Sequence, residues 1–495
     1  MEGEGVVITT IIGKFPDDFP QGIYVRNGPN PLFGGLKSTK SVFGRSSHIW
    51  IEGEGMVHAL YFTRNDVVSS EGSRWTLRYN NRHVETETYK LEKQRNKPSF
   101  LPAIGGDSPA ILSAYLLNLL RFGKVNKYLS NTNVFEHSGK FYSVAENHIP
   151  QEIDILTLET IGNWDVSGAW NRPFTSHPKR APGTGELVIM GVDAVKPFWE
   201  VGVVSADGKE LIHKVDLKLN RCSICHEIGV TQSYNVIMDF PLTIDIKRLI
   251  GGGPLVKYNG EEYARIGCNA SLCFEDGDEV VVWGCKALDS VIGPSNESNS
   301  NINDDTSAEN GRKLFSHAYE WRLNMETGQV RERYLTGKNF SMDFPMINAN
   351  FCGVKNRFGY AQVLDSVASS TSGLLKYGGI AKLHFEEPAE RREGELEDEE
   401  IKVERRMFEE NTFCTGAAFV PKQSGMSTSS TLEEEEEEDG WVITFVHNED
   451  TNISQVYVID TKEFCSEPVA KITLPCRVPY GFHGAFMGMP ISSNT

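Results

Sequence analysis

A chain of 495 residues with 39% apolar residues can bury a large core, and no apolar run of eighteen marks it as membrane-spanning. A net charge of −18 excludes a nucleic-acid surface, which needs clustered Lys and Arg. Nine scattered Cys, an odd number, do not form a disulfide framework, and a reducing compartment follows.

From the N-terminus, runs of four to eight residues rich in β-branched and aromatic side chains alternate with Gly, Asn, Asp and Pro. They include Gly22 to Arg26, 57–62, 186–191, 279–284, 441–447 and 455–459. Such runs predict strands, and strands this numerous predict an all-β chain closed on itself, leaving few free edges. After the first strand, Arg26-Asn27-Gly28-Pro29-Asn30-Pro31 reads as a rigid turn. Gly53-Glu54-Gly55 reads as a tight turn with little chemistry of its own.

Residues 108–122 break the pattern. Ser108 is placed as N-cap and Pro109 at the first helical position, followed by apolar residues too dense for a two-faced surface helix. The segment predicts a helix packed on the sheet, or one that dips into a bilayer and admits a lipid-soluble substrate. Residues 294–311 and 422–439 read as disordered loops. The acidic run Glu433 to Asp439 and the Glu-rich stretch 386–410 read as solvated. With no transit segment read before the first strands, the expected location is cytoplasmic, with a plastid as the alternative if a leader is missing.

Further landmarks follow in order: Thr175-Ser176-His177-Pro178-Lys179, His226-Glu227 with Met238-Asp239-Phe240-Pro241, Asp343-Phe344-Pro345, and Val478-Pro479-Tyr480-Gly481-Phe482-His483. With the two N-terminal turns, they resemble the carotenoid cleavage dioxygenases from about residue 20 to 490. Ser47-His48-Ile49-Trp50 and Trp283-Gly284-Cys285-Lys286-Ala287-Leu288 are most similar to the plant zaxinone-synthase-type branch. The resemblance implies a single domain over 1–495, a seven-bladed β-propeller with a helical dome over its axis. It implies Fe(II) on that axis held by four His, and O₂-dependent cleavage of a C=C bond in a carotenoid or apocarotenoid to carbonyl products. Imidazole suits Fe(II), and neutral ligands leave the metal its full charge.

Residue by residue, the resemblance makes His177, His226 and His483 iron ligands and Glu146 a carboxylate behind them. Ala349 and Gly416 stand where two more carboxylates are expected, and Phe344, Tyr480 and Phe482 are expected to border the substrate tunnel. Asn269 stands where the remaining His belongs, and the chain from Tyr263 to Phe274 is short, as if a strand-sized piece were missing. Two readings therefore stay open: a dioxygenase, or an impaired apocarotenoid-binding paralogue or mis-spliced product. Cys222-Ser223-Ile224-Cys225-His226 also fits the pattern of c-type haem attachment, and Cys222 with Cys225 could serve zinc.

Overall fold

The computed structural model describes residues 2–33, 39–47, 51–65, 74–262, 264–267, 272–287, 316–337, 340–367, 375–389, 400–422 and 437–488. Every predicted strand is present, four with wider bounds, Met56–Arg64, Glu279–Ala287, Gly440–Asn448 and Ile453–Asp460, and one shifted by a residue, Leu187–Val192. Gly22–Arg26 has the predicted bounds.

Antiparallel meanders follow one another along the chain. One joins Asn133–His137, Lys140–Val144, Gln151–Ile153 and Thr160–Asn163, and the next joins Lys179–Arg180, Leu187–Val192, Trp199–Val204 and Leu211–Asp216. The two chain ends then close on each other. Gly22–Arg26 pairs with Met56–Arg64 on one side and with Gly484–Gly488 on the other, and Ile11–Gly13 pairs with Ala470–Thr473. Sequential meanders closed by pairing first with last are the plan of a β-propeller, an all-β architecture that leaves only short edges. Sheets do not correspond one to one with blades. The nine-stranded sheet, for example, is continuous across Tyr377 and Cys414, paired between Leu375–Pro388 and Thr412–Pro421.

Apolar layers between neighbouring sheets hold the ring together. At the closure Phe19, Phe62, Trp441 and Phe445 pack with Tyr24, all at most 3% exposed. Truncating one such ring to Ala costs about 3–5 kcal/mol.

Among the described residues three α-helices stand outside the sheets: α1 (Glu87–Arg95), α2 (Ser108–Phe122) and α3 (Ile246–Ile250). The start of α2 differs from expectation: Asp107 is the N-cap and Ser108 already helical. The polar groups here serve tertiary contacts instead. The Asp107 carboxylate accepts the Arg45 N–H at 2.6 Å, and the Ser108 hydroxyl donates to Gly253 O at 2.8 Å. Ile111, Ala114 and Asn118 face inward, while Leu116, Leu117, Leu119 and Leu120 are exposed by 44–72%.

The acidic run is also not wholly solvated. Glu437 is 4% exposed, and its carboxylate accepts the backbone N–H groups of Arg357 and Phe358 at 2.8 and 2.9 Å. Glu438 pairs with the buried ammonium of Lys382. Backbone donors at a strand start need acceptors, and a carboxylate supplies them. The Glu-rich stretch 386–410 likewise includes a strand, Ile401–Met407, paired to Leu375–Pro388. The expected loop 294–311 and residues 423–436 lie outside the described residues.

Candidate metal centre

Three segments deliver the site. Thr175 donates its N–H to Met190 O at 2.7 Å, and the Asn133 amide donates to Ser176 O at 2.9 Å, fixing the backbone that carries His177. His226 lies in the irregular link between Cys222–Ser223 and Ile228–Val230, strands of two different sheets. His483 directly precedes the closing strand Gly484–Gly488. Its carbonyl accepts the Asn27 N–H at 3.2 Å, and the Phe482 N–H donates to Asn27 O at 3.1 Å. The Asn27 side chain in turn donates to Ser130 O and Ser143 Oγ, both at 3.0 Å.

The turn read as rigid punctuation is therefore an anchor for His483. Arg26, 1% exposed, donates through Nη2 to Pro479 O in the same loop. Its guanidinium fills the space over Gly481, where a Cβ would lie 2.1 Å from Nη2. Glu54 is an anchor as well. Buried at 5% exposure, it accepts the Leu32 N–H at 2.8 Å and pairs with Lys127 at 2.6 Å.

The three expected histidines come together. One nitrogen from each lies within 4.8 Å of the others, and the Nε2 atoms of His177 and His226 are 3.0 Å apart. The ring of His177 crosses those of His226 and His483 at 70° and 75°, with centroids 4.6 and 4.2 Å apart. Two imidazoles bound to one cation at ~2.0–2.1 Å and roughly right angles place their nitrogens about 3 Å apart, so the set fits a shared metal ion.

Electrostatics distinguish the rings. The Glu146 carboxylate stands 2.6 Å from His226 Nδ1, which leaves Nε2 to face the cluster. Burial disfavours the His226 charge, but Glu146 more than offsets it and raises the imidazole to about 9. Burial also works against ionised Glu146, yet His226 brings it below the usual carboxylate range. His177 and His483 are both held well below the ordinary imidazole value, first by burial and then by neighbouring cationic groups. Two rings are thus kept neutral and ready to donate a lone pair, and the third is oriented by a carboxylate, the usual support for a metal-bound His.

The other expected residues divide. Phe344 stands beside the cluster, its ring centroid 5.0 Å from that of His483. It adopts φ +54°, unusual for a bulky residue, where the strand Met342–Met346 is irregular in register. Asp343, just before it, is a desolvated carboxyl raised by burial and partly offset by His226. The Tyr480 hydroxyl donates to Glu449 at 2.9 Å, and its ring meets Phe413 and His447. Phe482 is half-buried between the Asn27 contact and His483. Ala349 opens the 3₁₀ turn Ala349–Phe351, next to Asn348, which bonds Glu437 O. Gly416 has φ +66°, and a Cβ there would lie 2.5 Å from Arg26 Cγ, so Arg26 fills the place a carboxylate would need.

Asn269 lies outside the described residues. On either side, Arg265–Gly267 completes a sheet with Ile228–Val230 and Asn235–Asp239, and Leu272–Asp276 opens the next. Among the described residues the first of these has three strands, while the sheet that Leu272–Asp276 opens has four. The Cys-x-x-Cys-His pattern is otherwise engaged. Both His226 nitrogens face protein groups, and burial pushes the Cys222 and Cys225 thiols up to about 12, away from the thiolate that zinc requires. Asn27, Asn133 and Glu54 were missed because their partners are far away in sequence.

The sequence profile of the family described as "Retinal pigment epithelial membrane protein" (RPE65) matches residues 1–271 and 268–488. The "Carotenoid 9,10(9',10')-cleavage dioxygenase" of Crocus sativus is 28% identical, over 94% of this chain and 83% of its own. The "Carotenoid 9,10(9',10')-cleavage dioxygenase 1" of Pisum sativum is 29% identical, over 97% and 86%. Among solved structures, a Synechocystis apocarotenoid oxygenase variant superimposes with TM-score 0.74 at 17% identity, covering 98% of this chain and 96% of that one. The lignostilbene dioxygenase of Pseudomonas brassicacearum does so with TM-score 0.75 at 19% identity, with the same coverage. The fold is that of these oxygenases, and the chain belongs to the RPE65/carotenoid cleavage dioxygenase family.

Proposed function

We propose that this chain is a non-haem Fe(II) dioxygenase that cleaves one C=C bond of a carotenoid or apocarotenoid into two carbonyl products. The observation that carries the reading is the convergence of His177, His226 and His483, with Glu146 behind His226. A cobalt-substituted Synechocystis apocarotenoid oxygenase of the same fold accords with a divalent metal in such a site. Iron held here would supply activation of O₂ beside the polyene. His177 and His483 would bind as neutral imidazoles, and Glu146 would hold the His226 proton on Nδ1, keeping Nε2 free. Phe344 would close one side of the apolar space over the metal, and Phe482 would border it too.

Purified protein reconstituted with Fe(II) should carry close to one iron per chain. It should consume O₂ only with an apocarotenoid or carotenoid in micelles, and yield two carbonyl products by mass spectrometry. An iron-free protein that binds apocarotenoid without O₂ uptake would overturn the enzyme reading.

That second outcome has an observation in its favour. The family profile matches in two pieces that meet at 268–271, where Asn269 replaces the expected ligand and a four-residue link joins two sheets. A binding paralogue, or a spliced form lacking a strand and a ligand, follows from that reading. Transcripts across 263–274 decide between them, because a longer segment containing a His restores the full ligand set.

The sheets would group into seven blades of one domain, and the motifs at 47–50 and 283–288 would place the chain with the plant zaxinone-synthase-type branch. The exposed leucines of α2 would touch a membrane surface and pass a lipid-soluble substrate inward. No described helix is long and apolar enough to cross a membrane. Rice and Arabidopsis relatives named as chloroplastic favour a plastid over the cytoplasm, and a fluorescent fusion would distinguish them.

A further inference from the structure

His177 and Lys179 share one segment, and His226 and Glu227 are adjacent on another. The strand that Lys179 opens, Lys179–Arg180, packs beside Ile228–Val230, which follows Glu227. Across this seam the Lys179 ammonium pairs with Glu227 Oε1, and both side chains are less than a fifth exposed, at 17% and 18%. The Thr175 hydroxyl also reaches His226 O, at 3.5 Å. The two histidine-bearing segments are therefore fastened to each other directly, before His177 by Thr175 and after it by Lys179.

Glu227 has a second relation to the site. Its Oε2 lies 3.9 Å from His177 Nδ1, beyond hydrogen-bond distance. A carboxylate stands close to the outer nitrogen of His177 without bonding it, whereas Glu146 approaches His226 Nδ1 at 2.6 Å. Lys179 occupies the other oxygen of Glu227 and so restrains the carboxylate.

We propose that Lys179 and Glu227 are positioning residues of the metal centre, an ion pair that joins the two ligand segments and holds the Glu227 carboxylate off His177. This rests on the reading that the histidine cluster binds a divalent metal. The pair makes the two rings unequal donors, because only a ring whose Nδ1–H is given to a carboxylate gains basicity as a ligand. Removing one partner also leaves a charge in a mostly buried place, and that charge seeks a new partner. Without Lys179, Glu227 needs to move only about 1 Å to accept the His177 Nδ1–H. Without the Glu227 charge, the Lys179 ammonium remains beside a site meant for a cation, and repels it.

The two deletions should therefore differ, and Co(II) titration of the metal-free chain reads the difference. Glu227→Gln should weaken Co(II) binding ~10- to 100-fold. Lys179→Met should weaken it less, and should shift the visible absorption of bound Co(II) as His177 becomes the stronger donor. A double-mutant cycle on the metal-free chain, followed by urea unfolding, should give a non-zero coupling between the two residues. Equal losses in both variants, in proportion to lowered stability and without a spectral shift, would reduce the pair to a structural contact and overturn the proposal. Unchanged affinity and spectrum in both variants would also overturn it. If the unsubstituted chain binds no Co(II) at all, the metal reading fails with it, and the measured coupling marks a structural pair only.

Discussion

His226 and His483 reach the same point by different means. His226 sits in a link between two sheets, and a carboxylate 2.6 Å from its outer nitrogen sets its ring orientation. His483 sits in a loop tied by backbone bonds to Asn27 and packed over the buried guanidinium of Arg26. The first arrangement fixes which nitrogen carries the proton, and the second fixes where the backbone lies. A site built from both tolerates error differently on its two sides: a side-chain change alters donor strength near His226, but the position of the ligand itself near His483.

The largest effect should come from the backbone side. Gly481→Ala would drive a Cβ into Arg26 and shift the loop, with an expected cost of about 1–3 kcal/mol in urea unfolding and loss of bound metal. If metal content survives unchanged, the loop does not set His483. On the carboxylate side, Glu146→Ala should lower metal affinity ~10- to 100-fold with the fold retained, and Glu146→Gln should lower it less, because an amide oxygen can still accept the Nδ1–H. Equal effects of the two substitutions would mean that tautomer control is not the role of Glu146.

A pH series sharpens the contrast further. In the metal-free chain, His226 is raised to about 9 and Glu146 lowered from its ordinary value. The His226 contribution to stability is full below its unfolded value, near 6.5, and is lost as pH rises through about 9. The Glu146 contribution is present above its unfolded value and is lost as pH falls below it. Stability should therefore decline on the alkaline side, and Glu146→Gln should flatten that decline in thermal melts. Metal affinity should have the opposite slope and rise toward pH 9, since binding requires the neutral ring. The smallest effect on stability belongs to an exposed helix face. Leu116→Glu with Leu120→Glu on α2 should abolish sedimentation with liposomes while changing stability by no more than about 0.5 kcal/mol each. Retained binding would remove α2 as the membrane contact.

Much of this was legible in the sequence. Strands were, because their residue types and turn formers are local signals, and the three histidines were, because each sits in its own short motif. What escaped depends on partners brought from elsewhere. Asp107 rather than Ser108 stands at the N-cap of α2, and neither side chain caps it, because Arg45 takes the carboxylate and Gly253 the hydroxyl. Glu437 looked solvated because its acceptor role requires the donors of Arg357 and Phe358. The bond from the Tyr480 hydroxyl to Glu449, in the turn after Gly440–Asn448, is likewise invisible in the sequence. Gly416 could be read as a missing carboxylate, yet only the fold shows Arg26 in its place.

The pairing of first strand with last has a consequence in time. Arg26 bonds to Pro479, 453 positions further along the chain, and His483 takes its place through that closure. Synthesis at ~5–20 residues per second delivers the N-terminal half long before its partner exists. His177 and His226 can meet on the nascent chain, but the third histidine joins them only once the closing strand Gly484–Gly488 has been made and paired. Metal uptake is therefore a late event, and ribosome-bound chains ending before 484 should hold no metal.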